Sequence, residues 1–197
     1  MFEIYDYQIV PLGENIHRKR VEFLNQLLPV FQHYYDDISM KHETVEIEYR
    51  SSLNHKPFKD QLAESFEKDK ILQYTSTGIH KDDLVFSIGR NSIKKAGSQG
   101  QQKTFVIALK LAQFDFISQM NPFKPILLLD DIFDKLDSNR VTQIVRLVAE
   151  NTFGQIFITD TNKTRLESIL EEVPGEYKLF EIHDGKVINQ NISYAKK

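Results

Sequence analysis

The stretch Ile126-Leu127-Leu128-Leu129-Asp130-Asp131 decides the fold class of this 197-residue chain. Four consecutive aliphatic residues are typical of a strand that is covered on both faces, as in a parallel α/β sheet. Two carboxylates follow at the carboxyl end of the strand, where open α/β sheets bind ligands and where a carboxylate can hold Mg²⁺. Alternatively, Asp130 and Asp131 only begin a turn, and Asp137 caps a helix that starts near Asn139. The pattern by itself leaves both interpretations open.

The residues after this strand predict a second strand parallel to it. Apolar residues recur at helical spacing from Val141 to Val148, and Gly154–Thr159 then has the character of a strand. A strand, a helix and a strand within about 35 residues predict a right-handed crossover. Beyond it we expect a helix over residues 164–172 and a hairpin over residues 178–190 that turns at Asp184-Gly185.

Upstream of the strand, the pattern is mainly helical. Gln101–Met120 carries apolar residues at spacings of three and four, which predicts a buried helix. Asn15–Tyr35 predicts an amphipathic helix or helix pair that Pro29 breaks or kinks. The remaining expected elements are a strand over 44–49, a helix over 59–73, and a strand over 83–89 that turns back through 92–95.

Composition excludes several classes of function. The 25 Lys plus Arg and 28 Asp plus Glu leave a net charge of -3, so any contact with nucleic acid needs a local basic patch. Cysteine is absent, which excludes disulfides, thiolate nucleophiles and cysteine zinc sites. Met1–Asp6 is neither basic nor apolar, and no apolar run is long enough to span a bilayer. We therefore expect a soluble cytoplasmic protein without a membrane partner.

A glycine-punctuated segment, Gly97–Lys103, opens the long buried helix. Ser98 with Gln101 three residues later fits a capping box. The free amides and the positive dipole end of a helix also make an anion site when glycines let the backbone approach closely. The two interpretations are compatible, and both use Ser98.

The same segment does not predict a phosphate-binding loop. Gly97, Lys103 and Thr104 match positions of the G-x-x-x-x-G-K-[ST] pattern, but Gln102 replaces the second glycine that lets the loop wrap a phosphate. The full pattern occurs nowhere in the 197 residues.

Taken together, the two segments resemble the motifs of ATP-binding-cassette (ABC) ATPase heads. Ser98-Gln99-Gly100-Gln101 resembles the signature Leu-Ser-Gly-Gly-Gln, and Asp130–Asp137 matches the stretch from Walker B to the D-loop in length. With Ala108–Ala112, Thr77–Leu84 and Gly154–Thr159, the chain resembles the carboxy-terminal half of the RecF family over most of its length. The resemblance implies an α/β fold: the carboxy-terminal half of an ABC/SMC-type P-loop NTPase head with a mainly helical accessory lobe.

The resemblance also implies roles for the motif residues. In such heads two subunits sandwich ATP, and the signature contacts the γ-phosphate in trans through Ser98, Gln99, Gly100 and Gln101. Asp130 would support Mg²⁺ in cis, and Leu136 and Asp137 would belong to the D-loop. Asp131 stands where most relatives have a glutamate that polarises the attacking water, so we expect slow hydrolysis by the whole protein.

The sequence departs from the family pattern at two places. Asp160-Thr161 follows the second strand where most ABC heads have a switch histidine. Ile79 and Lys81 replace a proline and an arginine of the Thr77–Leu84 segment, whose role stays open. For His80 we expect a structural hydrogen bond to a nearby carboxylate rather than a functional role.

Without a Walker A loop, the chain is expected to be an engineered, split or truncated half that is inactive alone. Residues 1–75 would be part of the accessory lobe and residues 76–197 the carboxy-terminal part of the ATPase core. ATP and Mg²⁺ would both need the missing amino-terminal half. The implied partners are that half, a second head with ATP, gapped or single-strand/double-strand junction DNA, and RecO- and RecR-like mediators that promote recombinase loading.

An enzyme of another class is the alternative. Asp130, Asp131, Asp134 and Asp137 could serve a stand-alone Mg²⁺-dependent phosphotransferase or nuclease, provided that they converge on two metal ions about 4 Å apart.

Overall fold

The computed structural model describes residues 2–131, 133–150, 153–172 and 176–194, so Ile132 of the Asp130–Asp137 motif lies outside the described residues. The chain forms two compact units. The first comprises residues 1–33 and 42–98, and the second comprises residues 34–41 and 99–197. Within the described residues, no helix combines the length and the apolar character needed to cross a bilayer.

The first helix, α1 (Phe2–Ser39), is longer than the sequence predicts and continues through Pro29. A break at Pro29 is therefore wrong, and a kink there stays a prediction. Proline removes one backbone hydrogen bond from a helix interior. Residues on both sides of Pro29 are nevertheless buried, because Leu24, Leu27 and Phe31 are at most 7% exposed. Tertiary packing of this apolar stripe therefore offsets the local cost.

The first unit continues with β1 (Val45–Arg50), α2 (Phe58–Leu72), β2 (Asp83–Ile88), β3 (Asn91–Ser92) and α3 (Ile93–Ala96). Its strands form an antiparallel sheet in the order β1-β2-β3. The expected strand over residues 92–95 is wrong, since only Ser92 pairs and a helical turn follows. In a strand Ile93 and Lys95 would face the same side. The helical turn instead buries Ile93 and leaves Lys94 and Lys95 exposed.

The close approach of α1 to α2 reverses the usual effect of a helix glycine. Replacing a glycine by alanine in a helix interior normally stabilises a protein by up to about 1 kcal/mol. A Cβ on Gly13 would lie only 2.5 Å from Cε1 of Phe58, whose ring is buried. We expect Gly13→Ala to lower the free energy of unfolding by roughly 1–3 kcal/mol in urea denaturation. The same change in a Phe58→Leu background should cost less, and a stabilised Gly13→Ala variant would contradict this packing.

The second unit contains α4 (Gln99–Met120), β4 (Leu127–Leu129), α5 (Ser138–Glu150), β5 (Ile156–Ile158), α6 (Lys163–Glu172), β6 (Glu176–His183) and β7 (Lys186–Tyr194). Strands β4 and β5 pair in parallel, with Leu127 opposite Ile156 and α5 between them in the chain, which confirms the strand–helix–strand unit. Strands β6 and β7 form the expected hairpin, and its turn residues Asp184 and Gly185 both have positive φ angles.

The core of the second unit includes α4 and α5. Buried residues recur along both helices: Phe105, Ala108, Leu111, Ala112, Val141, Ile144, Val145 and Val148. Tyr34, at the end of α1, is also buried, and its hydroxyl donates a hydrogen bond of 2.6 Å to Asp115 Oδ2. Burial raises the pKa of this hydroxyl well above its ordinary value, and the contact with Asp115 raises the pKa further.

The expected covering of both faces of β4 is not found among the described residues. Leu127 and Leu129 are 6% and 2% exposed, whereas Leu128 between them is 66% exposed. Phe157, at the centre of β5, is 48% exposed. Successive side chains of a strand point to opposite faces, so the described residues cover only one face of the sheet.

Candidate functional site

A threonine hydroxyl organises the carboxyl ends of the two parallel strands. Asp130 and Asp131 directly follow β4, and Thr159 directly follows β5. The Thr159 hydroxyl donates to Asp130 Oδ1 at 2.5 Å and accepts from the Asp131 backbone N–H at 3.0 Å. The Thr159 backbone N–H also donates to the Leu129 carbonyl oxygen at 3.0 Å. The sheet pairing thus sets the position of both acidic residues.

The backbone of Asp131 is held, while its carboxylate faces solvent. Its φ angle of 44° lies in the left-handed region, which aspartate tolerates better than most residues. Lys103 Nζ donates to the Asp131 carbonyl oxygen at 2.6 Å. The carboxylate lines a polar cleft of about 360 Å³ with Asp134, Thr161 and Asn162. It is therefore placed where it can accept a hydrogen bond from water.

The groups around Asp130 fit a magnesium ion. The residue is exposed, one carboxylate oxygen is bonded to Thr159, and the other accepts no hydrogen bond from the described residues. Carboxylate and hydroxyl oxygens are the ligands that Mg²⁺ prefers, and proteins commonly bind this ion through one or two carboxylates plus phosphate oxygens. Among the described residues, no three His, Cys, Asp or Glu side chains converge as a metal site. The described residues therefore give no support to a two-metal nuclease, and a Mg²⁺ ion at Asp130 would need further oxygen ligands from phosphate or water.

The end of the Asp130–Asp137 motif is a helix cap, as one interpretation of the sequence predicts. Asp137 Oδ1 accepts from the Arg140 backbone N–H at 2.9 Å, and α5 begins at Ser138. Asp137 Oδ2 accepts from Arg140 Nε at 3.1 Å. Leu136 is buried and anchors the segment before the cap. Capping leaves the D-loop role of Leu136 and Asp137 open, because a cap occupies only part of a carboxylate.

The signature-like residues lie at the start of α4, which begins at Gln99. Ser98 and Gln99 are exposed, and Gly100 and Gln101 are partly exposed. The first backbone N–H groups of a helix have no partner within the helix and can bind an anion. The capping box between Ser98 and Gln101 stays a prediction.

The residues that imitate a Walker A motif lie inside α4 rather than in a loop. Thr104 is 0% exposed, and its hydroxyl accepts from Arg140 Nη1 at 2.8 Å. Lys103 bonds the Asp131 carbonyl oxygen. Neither side chain is placed as a phosphate-binding loop requires, so the geometry supports the rejection of that motif.

In the first unit, the Thr77–Leu84 segment ties α1 to β1 through Asp82. Asp82 Oδ2 accepts from Arg20 Nη1 at 2.7 Å and from the Tyr49 hydroxyl at 2.5 Å. Arg20 Nη1 also donates to the Ile79 carbonyl oxygen at 2.7 Å. Burial raises the pKa of the Tyr49 hydroxyl, and the hydrogen bond to Asp82 raises it further. These contacts give the segment a structural role, which is to join α1 to β1.

The hydrogen bond expected for His80 exists, but with another partner. His80 Nε2 lies 3.0 Å from the Thr75 carbonyl oxygen, so the expected carboxylate partner is wrong. A carbonyl five residues earlier is close because residues 79–81 form a single 3₁₀ turn after Gly78, which has a φ of 123°.

Sequence reasoning missed Thr159, Thr104 and Arg140, and missed the contact that Lys103 makes. Thr159 follows a predicted strand at the same sheet edge as the two aspartates, so its position was a usable signal. Arg140 and Thr104 are 36 residues apart, and no sequence pattern indicates that their side chains contact each other.

The comparisons with known proteins agree on one family. No protein-family model matches the chain. The chain is 52% identical over 186 residues to the DNA replication and repair protein RecF of Azobacteroides pseudotrichonymphae, an alignment that covers 94% of the chain and 51% of that protein. It is 47% identical over 190 residues to RecF of Bacteroides thetaiotaomicron, with 96% and 51% covered. The chain spans about half the length of the curated relatives it matches.

Solved structures give the same result for the fold. A structure of the recombination mediator protein RecF with ATPrS matches with a TM-score of 0.69 and 30% identity, covering 94% of this chain and 49% of that one. A RecF–ATP structure matches with a TM-score of 0.69 and 28% identity, covering 97% and 50%. An SMC head bound to ScpA, at 14% identity and a TM-score of 0.51 over 88% of this chain and 43% of that one, shows similarity of fold alone.

Proposed function

Because the chain corresponds in sequence and fold to the carboxy-terminal half of RecF proteins, we propose that it is one half of an ATP-driven DNA-repair head. Residues 76–197 complete the ATPase core, and residues 1–75 belong to the accessory lobe. With its amino-terminal half, the head binds ATP, pairs with a second head, and hydrolyses ATP slowly.

Each motif residue has a role in this proposal. Ser98, Gln99, Gly100 and Gln101 contact the γ-phosphate of the ATP bound by the opposite head, at the positive end of α4. Asp130 would hold Mg²⁺, which when bound would supply neutralisation of charge on the transferred phosphoryl group. Asp131 orients and polarises the attacking water. Leu136 and Asp137 form the D-loop that approaches the opposite head.

The observation that carries the proposal is the pair of aspartates fixed by Thr159 at the carboxyl ends of two parallel strands. The hydroxyl orients Asp130 through Oδ1, and it holds the Asp131 backbone without occupying the Asp131 carboxylate. One carboxylate is thereby suited to a metal ion and the other to water. Phosphoryl transfer depends on such positioning more than on covalent chemistry.

The exposed face of β4 and β5 supports the requirement for an amino-terminal half. Leu128 and Phe157 are 66% and 48% exposed on short parallel strands, which are ordinarily buried on both faces. In this proposal the amino-terminal half covers that face and brings the Walker A loop to the edge where Asp130 lies. ATP and Mg²⁺ binding then need both halves.

The DNA-repair context is proposed through the relatives, which are called DNA replication and repair proteins and recombination mediators. On this basis the reunited head acts at gapped or single-strand/double-strand junction DNA. RecO- and RecR-like mediators are its partners in recombinase loading.

Complementation tests the proposal. ATP turnover is measured for this chain alone, for the amino-terminal half of a RecF relative alone, and for both together. We expect turnover above background only for the combined halves, because a phosphate cradle and a water-polarising carboxylate come from different halves. A control combination with the Walker A lysine of the other half replaced should be inactive.

Two outcomes would contradict the proposal. Turnover by the chain alone would show that it contains a complete site, and stable combined halves without turnover would remove the assigned roles. Magnesium-dependent DNA cleavage by the chain alone, abolished by Asp130→Ala, would instead favour the nuclease alternative.

A further inference from the structure

Two successive residues of α4 hold the two ends of the segment from Asp131 to Asp137. Lys103 Nζ donates to the Asp131 carbonyl oxygen at 2.6 Å, at the beginning of the segment. Thr104 Oγ1 accepts from Arg140 Nη1 at 2.8 Å, and Arg140 Nε donates to Asp137 Oδ2 at 3.1 Å, at its end. Both residues follow the signature by less than two helical turns.

The contact at the end of the segment is shielded from water. Thr104 is 0% exposed, and the Arg140 side chain is 14% exposed. A hydrogen bond between a charged donor and a buried hydroxyl is worth more than an exposed ion pair, because its loss leaves a polar group without a partner. The planar guanidinium has donors in a fixed fork, so Arg140 can bond a hydroxyl and a carboxylate simultaneously. A lysine has no such fork.

Two described residues of this segment have a backbone conformation that depends on the surrounding contacts. Asp131 and Lys135 both have positive φ angles, of 44° and 63°, which side chains with a Cβ rarely adopt. Such backbone persists only where surrounding contacts impose it. Lys103, Arg140 and the Thr159 hydroxyl supply such contacts among the described residues.

We propose that Lys103 and Arg140 are positioning residues that couple α4 to the Asp131–Asp137 segment, so that the signature and the water-polarising carboxylate of one chain move together. A helix is stiff over two turns, so a displacement at Gln99 reaches both anchors. This inference rests on the proposed function, in which the signature and Asp131 of one chain serve different ATP molecules. Occupation of one ATP site then sets the geometry of the other, and the two sites of a dimer hydrolyse ATP cooperatively.

Hydrogen exchange on the 197-residue chain tests the structural part of the coupling without ATP. Lys103→Met, Arg140→Lys and Thr104→Val each remove one anchor contact, and the control variants Lys110→Met and Gln143→Ala change polar side chains elsewhere on the same two helices. We expect the amides of Phe133–Arg140 to exchange about tenfold faster in the three anchor variants. The two control variants should match wild type. Unchanged exchange in Arg140→Lys and Lys103→Met would overturn the proposal, even if Thr104→Val failed to fold.

Steady-state kinetics of the combined halves test the functional part. In wild type we expect a Hill coefficient for ATP near 2, as for two coupled sites, falling to about 1 in Arg140→Lys and Lys103→Met. The value of kcat should fall about tenfold with little change in KM, since ATP binding itself is intact. Unchanged cooperativity in the variants would overturn the coupling alone. Absence of turnover by the wild-type combination would overturn the proposed function and the cooperativity that rests on it.

Discussion

Replacing Ser98 by arginine is expected to abolish ATP-dependent association of two reunited heads while leaving ATP binding to each head unchanged. The side chain directly precedes α4 and is exposed, so an arginine there does not disturb the core. It would, however, occupy the space through which the γ-phosphate approaches the helix amides. We expect at least about a 100-fold loss of dimer affinity, equivalent to roughly 3 kcal/mol, in sedimentation with a non-hydrolysable ATP analogue.

Two variants separate this effect from a loss of helix capping. Ser98→Ala removes any cap from the hydroxyl, at a cost to stability of about 1 kcal/mol, without blocking the phosphate. Gln119→Arg adds the same side chain at an exposed position near the carboxyl end of α4, far from the amino-terminal end where Ser98 lies. Both variants should still dimerise with ATP. Dimers of normal affinity in Ser98→Arg would show that the signature does not act in trans.

Replacing Asp131 by asparagine is expected to lower kcat by about 100-fold or more, because a positioned general base typically contributes 10²- to 10⁴-fold. Asparagine keeps the size of the side chain and tolerates the left-handed backbone at φ 44°. The contacts of Lys103 and Thr159 use the Asp131 backbone, so they remain. ATP-dependent dimers should therefore form and persist. Single-turnover hydrolysis by the combined halves measures the chemical step directly.

Asp134→Asn is the matched control for this experiment. Asp134 is exposed and lines the same cleft as Asp131, but it has no role in the proposed ATPase reaction. Its replacement should change kcat less than about threefold, the scale of an exposed charge. Equal losses in the two variants would favour a cluster of metal-binding carboxylates over a single water-polarising aspartate.

The parts of this protein that local patterns determine were predicted well. Periods of two and 3.6 residues predict β1, α4 and α5 close to their observed bounds, because alternating or helical burial leaves a direct trace in the sequence. The assignment of the site to the carboxyl end of β4 stays a prediction, because Asp130-Asp131 after an apolar strand is compatible with a metal site and with a simple turn. The comparisons confirm the resemblance to RecF proteins in sequence and in fold.

Other features escaped prediction because they depend on partners distant in sequence. The local sequence around Pro29 predicts a helix break, yet α1 continues because the burial of Leu27 and Phe31 stabilises it on both sides of the proline. The apolar run of β4 suggested two covered faces, but the covering of Leu128 is not found among the described residues. Sequence records how apolar a strand is and not which residues cover it.

The sequence by itself determined the order of the elements, the place of the acidic residues and the absence of a phosphate-binding loop, because each is written in neighbouring residues. Only the tertiary structure decided how Asp130 and Asp131 are held. Thr159, directly after β5, and Lys103, on α4, each bind the Asp131 backbone from 28 residues away. Arg140, on α5, joins the nearby Asp137 to Thr104, which lies 36 residues earlier in the chain. Hydrogen bonds over such separations leave no periodic trace, since their geometry exists only after the strands have paired and the helices have packed.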